Sequence, residues 1–258
     1  MSLDYKNPQH FVPTRAAGAA ALEAFTPNMG KNYADGRNFD RGAGQHRDVS
    51  MLSPYLRRRL VLEKDVVATA LRTHGAESAE KFVQEVIWRG YFKGWLERRP
   101  IIWDLFKQGL NRDLAALDCD RSLRRAVEAA EAGQTGLDYF DSWVEELVDT
   151  GYLHNHARMW FASIWIFSLE LPWQLGADFF FRHLVDGDPA SNTLGWRWVA
   201  GLHTRGKPYH AQAWNIAKFT NNRFSPRPAD LAEIVEGLNG EESDGLPSVS
   251  PLRTPEVP

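Results

Sequence analysis

Thr150-Gly151-Tyr152-Leu153-His154-Asn155-His156-Ala157-Arg158-Met159-Trp160 is the densest concentration of chemistry in the chain, and the fold reads outward from it. Gly151 marks a break between regular elements. A helix starting near His154 would set Asn155, Arg158 and Met159 at i, i+3 and i+4, on one face. An amide, a guanidinium and a thioether make a poor core stripe. They suit a partly buried site for a ligand with polar edges and flat faces. His154 and His156 would point elsewhere. As a metal pair they lack a nearby carboxylate at helical spacing, so no metal centre is expected.

On either side, from Ser50 to about Leu238, apolar residues recur at helical period, as in Val66/Val67/Ala70/Leu71, Phe82/Val83/Val86/Ile87 and Trp143/Leu147. Further breaks fall at His74-Gly75, Arg99-Pro100, Gly133 to Gly136, Leu171-Pro172, Asp186 to Pro189 and Gly206 to Pro208. The pattern predicts an all-α bundle of roughly eight to ten helices. Residues 1–48 are rich in Gly, Asn, Asp and Pro and read as irregular, with one helix over Thr14 to Phe25 opening on an N-cap threonine. The helical domain is expected over 1–238. The Glu/Ser/Gly/Pro-rich stretch 239–258 reads as a disordered tail.

A chain of 258 residues buries a substantial core without disulfides, and Cys119 is the single cysteine. The first fifteen residues are polar and no apolar run reaches membrane-spanning length, so a soluble, cytoplasmic protein is expected. The formal net charge of −3 argues against holding nucleic acid by bulk electrostatics. Arg57-Arg58-Arg59 with Lys64 is a candidate local basic patch, for which a solvated helix face is the plainer explanation. Ten tryptophans point to aromatic packing, stacking on flat ligands or electron transfer.

Three more segments carry polar residues that packing alone leaves unexplained. Asp186-Gly187-Asp188-Pro189-Ala190-Ser191-Asn192, running into Trp196-Arg197-Trp198, reads as a turn before a helix. Capping accounts for one aspartate; the oxygens are too few and wrongly spaced for a calcium loop. Glu85, Trp88 and Arg89 again stand at i, i+3 and i+4, where a plain surface Glu/Arg pair is the alternative. Ser50-Met51-Leu52-Ser53-Pro54-Tyr55 brings two hydroxyls to a helix start, suited either to an anion such as phosphate or to simple capping.

Together these segments resemble the FAD-binding domain of the photolyase/cryptochrome family over about Tyr33 to Tyr209. "TGYLHNHARM" is similar to that family's TGW-x-HN-x-x-RM, and "DGDPASNTLGWRW" to its DGD-x-A-x-N-x-x-x-W-x-W. The resemblance implies a helical bundle of that type holding FAD in a U shape. It implies that Tyr33, Ser50, Leu52 and Ser53 contact the diphosphate, with Val49 standing where the family usually has threonine and extra residues between Phe39 and Val49. Arg158 and Asp186 resemble the buried ion pair beside the flavin. Asp188 resembles the carboxylate at its pyrimidine edge, and Asn192 the residue facing the reactive flavin nitrogen. Glu85, Arg89 and Asn155 complete the implied cofactor contacts.

On the substrate side, Trp88, His156, Met159 and Trp198 match positions around a flipped-out pyrimidine dimer, with Glu85 and Asn155 implied as catalytic. His156 stands where dimer-splitting members usually carry arginine. Trp196 and Trp173 resemble the inner and middle positions of a tryptophan electron relay. The outer position aligns near Asp120, leaving Trp160, Trp165 or Trp143 as candidate exits. The function implied is light-driven splitting of cyclobutane pyrimidine dimers in damaged DNA by reduced FAD. The alternative is a non-repairing blue-light sensor or redox flavoprotein. The antenna domain usual in the family has no counterpart in this sequence, so no antenna chromophore is expected; the protein is expected to be a monomer.

Overall fold

The computed structural model describes residues 11–238 except 205 and 234, and among these residues there are eleven α-helices and no strand. In chain order they are α1 (Arg15–Phe25), α2 (Lys31–Gly36), α3 (Ser53–Arg57), α4 (Glu63–Glu97), α5 (Pro100–Cys119), α6 (Arg121–Glu131), α7 (Asp138–Thr150), α8 (Asn155–Ser163), α9 (Trp173–His183), α10 (Pro189–Val199) and α11 (Ala213–Phe219). The count exceeds expectation because α2 and α3, at six and five residues, are too short to show a period.

Local chemistry fixes the boundaries. Thr14 Oγ1 accepts from the Ala17 amide and starts α1 as expected. The supposedly irregular stretch 1–48 nevertheless holds a second helix, α2. α4 is broken at Gly75, whose φ of 74° no helix interior permits and glycine adopts without steric cost. The turn between α5 and α6 lacks Gly and Pro and was not foreseen; Asp120 makes it by accepting from the Ser122 and Leu123 amides. Gly151, with φ 67°, closes α7 by donating to the Leu147 carbonyl. α8 opens at Asn155, where His154 Nδ1 accepts from the His156 amide, and runs into a π-turn over Ile164–Ser168.

The helical pattern expected to reach Leu238 ends at Phe219. Beyond it lies one 3-10 turn, Pro228–Asp230, and irregular chain whose apolar Phe224 and Leu231 are buried anchors rather than a helix face. The expected disordered tail over 239–258 lies outside the described residues. Also among the described residues, no helix is long and apolar enough to cross a membrane.

The main core gathers around α8. Phe161 stacks on Phe140 of α7 at 4.3 Å between centroids, and Trp160 on Trp143 at 5.5 Å. A second cluster packs α1, α2 and α3 against α4 through Phe25, Met29, Leu52, Val66 and Phe82. The connection 38–49 is pinned to the main core at two points. Asp40, fully buried, accepts from Trp143 Nε1 and from Arg223. Buried His46 donates through Nε2 to Glu146 at 2.9 Å.

Candidate functional site

A cavity of about 670 Å³ opens between the second half of α4, α8, the end of α9 and α10. The face predicted from the opening motif is there: Asn155, Arg158 and Met159 all line it. So do Glu85, Trp88 and Arg89 from α4, Asp186 and Asp188 from the turn before α10, and Asn192, Trp196 and Trp198 from α10. Residues dispersed over more than a hundred positions thus share one wall. Tyr91, Phe92, Phe180 and His203 also line it and were missed. For Tyr91 and Phe92 a signal existed, since they stand i+3 and i+4 from Trp88 and extend its face.

The buried ion pair is present. Arg158 donates to both oxygens of Asp186, at 3.1 and 3.0 Å, and through Nε to the Leu153 carbonyl, while its guanidinium lies over the Tyr152 ring at 5.2 Å. Burial alone would raise the Asp186 carboxyl. The Arg158 charge, with hydrogen bonds from Arg158 and Ser53, outweighs burial and holds it below the usual range.

Asp188 caps α10, Oδ1 accepting from the Ala190 and Ser191 amides. Its Oδ2 lies 3.4 Å from both Arg57 and Arg89 and 3.7 Å from Lys93. Three cations therefore meet one buried carboxylate at the cavity edge. The basic run is only partly a solvated face: Arg58 and Arg59 are exposed, yet Arg57 also donates to the Gly187 carbonyl and Arg58 to that of Val185, fastening α3 to this turn. Nor do Glu85 and Arg89 pair with each other. Arg89 turns to Glu63 and Asp188, and Glu85 faces Arg37 at 4.0 Å. Partial burial pushes the Glu85 carboxyl up, opposed by Arg37 and Lys81.

Six predicted residues do not line the cavity. Tyr33 is buried edge-on against Phe82 at 5.0 Å. Leu52 packs in the second core cluster, and Ser50 Oγ accepts from the Leu52 amide. Ser53 reaches the site through Asp186. His156 stacks on Trp160 at 4.1 Å, with Nδ1 3.0 Å from the Asn38 carbonyl and Nε2 3.4 Å from the Tyr209 hydroxyl. Trp173 lies behind the cavity wall, against Phe106. The relay alternatives Trp143, Trp160 and Trp165 are all fully buried.

Residues 82–226 match the family described as the FAD binding domain of DNA photolyase, which is more than half of the chain. The chain belongs to that family. A deoxyribodipyrimidine photo-lyase of Thermus thermophilus is 34% identical over 205 residues, 76% of this chain and 45% of the relative. That of Streptomyces griseus is 34% identical over 193 residues, 74% of this chain and 40% of the relative. The chain thus spans less than half the length of these curated relatives. A bacterial class III photolyase from Agrobacterium tumefaciens superposes with a TM-score of 0.68 at 26% identity, covering 81% of this chain and 43% of that one.

FAD is the cofactor of this FAD-binding domain, and the cavity fits such a group. Its volume falls in the range of cofactor sites, about 300–1,000 Å³. Trp196 presents a buried Nε1 with no hydrogen-bond partner, and Asn192 spends its amide N–H on the Ala177 carbonyl, leaving its oxygen uncommitted. The cations around Asp188 and Glu63 outnumber those two carboxylates, which suits a diphosphate nearby.

Proposed function

We propose that the domain performs light-driven cleavage of pyrimidine dimers in damaged DNA. The observation that carries this reading is the shared wall of one cavity: residues suited to a flavin (Arg158, Asp186, Asn192) stand beside residues suited to paired bases (Trp88, Met159, Trp198). When bound, FAD supplies the photochemistry, donating one electron to the dimer and recovering it after the ring opens.

The chain's part is to bind, orient and exclude water. Arg158 and Asp186 form a rigid polar floor. Asn192 offers a neutral amide to the flavin, and Asp188 with its cations holds the polar end of the cofactor. Asp188 Oδ1 already serves two cap amides, so a cofactor donor would share Oδ2 with the surrounding cations. Trp88, half exposed at 50%, and Trp198 give flat walls for splayed bases. Glu85 lines the same wall and can hydrogen-bond the polar edge of a paired base. Tyr33, Ser50, Leu52 and Ser53 form the support behind this wall, and His156 holds α8 to the 38–49 connection rather than touching bases. A sensor or redox module is the competing reading, favoured by the net charge of −3.

The test is illumination of the photoreduced, FAD-loaded protein with an oligonucleotide carrying one thymine dimer, followed by chromatography of the product. Restored thymines support repair. Normal flavin photoreduction with an intact dimer would leave the sensor reading in its place.

A further inference from the structure

We propose that Trp103 is the solvent-side electron donor of the flavin site, reached from the cavity through Trp196 and Trp173 with Phe106 as the bridging ring. The inference rests on the light-driven reading of the cavity and adds the exit that its tryptophans require.

Trp196 lines the cavity, is 2% exposed, and its Nε1 has no hydrogen-bond acceptor in the protein. An electron vacancy on that indole cannot be trapped there by proton loss, so it must move on or return. Trp165 is the tryptophan in direct ring contact with Trp196, at 6.3 Å, but it is fully buried and its other ring contacts, Phe161 and Phe179, lead back into the core. Trp143 and Trp160 are equally sealed.

The other direction leads out. The Trp196 ring lies directly on Gly176 of α9, where an added Cβ would sit 2.3 Å from it. Trp173 stands one turn earlier on α9, on the same side of the helix. Its ring meets Phe106 of α5 at 5.6 Å and 37°, and Phe106 meets Trp103 at 5.3 Å and 30°. Both contacts are tilted rather than edge-on, and together they form a continuous aromatic path from Trp173 to Trp103. Trp103 is part exposed and adjoins the surface pair Asp104–Lys107, whose side chains are about half exposed. Water there stabilises a charged indole and accepts its proton.

Light moves one electron from Trp196 to the bound flavin. Trp173 returns one electron to Trp196, and Trp103 one to Trp173, so the net change is one electron from Trp103 to the flavin. Trp103 releases its indole N–H proton to water. A soluble thiol then supplies one electron and one proton to restore it.

The experiment is flash spectroscopy of FAD-loaded protein with the flavin oxidised, with dithiothreitol as the thiol, reading the long-lived deprotonated tryptophan radical. Released flavin is measured to confirm equal loading. Trp103→Phe should lower the yield of that radical about tenfold, and Trp103→Tyr should recover part of it with a tyrosyl spectrum. Trp214→Phe, at an exposed tryptophan on α11 outside this track, should change nothing. A Trp103→Phe radical yield within about twofold of the parent overturns the proposal. If Trp196→Phe abolishes the radical while Trp103→Phe does not, only the exit is wrong. If neither matters, another tryptophan donates and the whole track is wrong, while the thymine-dimer assay decides the reading of the cavity separately.

Discussion

Asp186 has exchanged water for Arg158 and Ser53, and the cost of breaking that exchange is large. Asp186→Asn leaves a buried guanidinium without its counter-charge, a change that typically costs about 3–5 kcal/mol. Thermal melting should show that loss, and the purified variant should carry little FAD. His154 is a second residue with a legible consequence. Burial pushes its imidazole down to about 4, with His46 and His156 adding to the effect and Asp40 opposing it. In the unfolded chain it titrates near 6.5. Between these values the unfolded state binds the extra proton, so stability falls as pH drops from about 6.5 towards 4, by at most about 1.4 kcal/mol per unit. Urea titrations across that window should show the slope, and His154→Asn, which keeps a capping side chain, should flatten it.

At this scale the sequence was most readable where partners are helical neighbours. Asn155, Arg158 and Met159 could be assigned to one face from spacing alone. The partners of Asp188 could not: Arg57, Arg89 and Lys93 come from two other helices, about a hundred positions away, and the two aspartates of Asp-Gly-Asp look alike until packing separates the cap from the ion pair. His156 was misjudged for the same reason, since Asn38 and Tyr209 are distant in sequence.

At the scale of elements, glycine and proline breaks located most helix ends, because they report backbone geometry directly. The α5–α6 turn escaped because a capping aspartate does the same work without them. Asp120→Ala should cost about 1 kcal/mol and leave FAD content unchanged, as calorimetry and flavin absorbance would show. The α9–α10 contact is tighter. Gly176→Ala pushes a methyl into the Trp196 ring, also 2.9 Å from that of Trp165, and overpacking of this kind costs about 1–3 kcal/mol. The near-ultraviolet circular dichroism of the tryptophans should change with it. Short helices such as α2 and α3, by contrast, owe their form to tertiary contacts and leave no period to read.

For the molecule as a unit, α4 joins two regions: it supports the N-terminal helices through Val66, Ala70 and Phe82, and its second part lines the cavity. Anything that fills the cavity braces α4, α8 and α10 together. FAD at about a hundred times its dissociation constant should add about 2.7 kcal/mol. For a chain of this size that raises the melting temperature by roughly 5–10 °C. The all-α architecture was readable from periodicity, whereas the irregular chain after Phe219 was not, because buried anchors such as Phe224 imitate a helix face when only their apolarity is seen.

The connection 38–49 has a practical implication. Its tip, Ala43-Gly44-Gln45, is exposed, while Asp40 on one side and His46 on the other are each tied to buried partners in α7. The backbone could be opened at that tip and both new ends would remain fastened. A protease nick at Gly44, or an epitope tag inserted there, should therefore yield two fragments, or an extended chain, that still co-purify as one yellow protein. This is a handle for attaching a dye or a surface without touching the cavity.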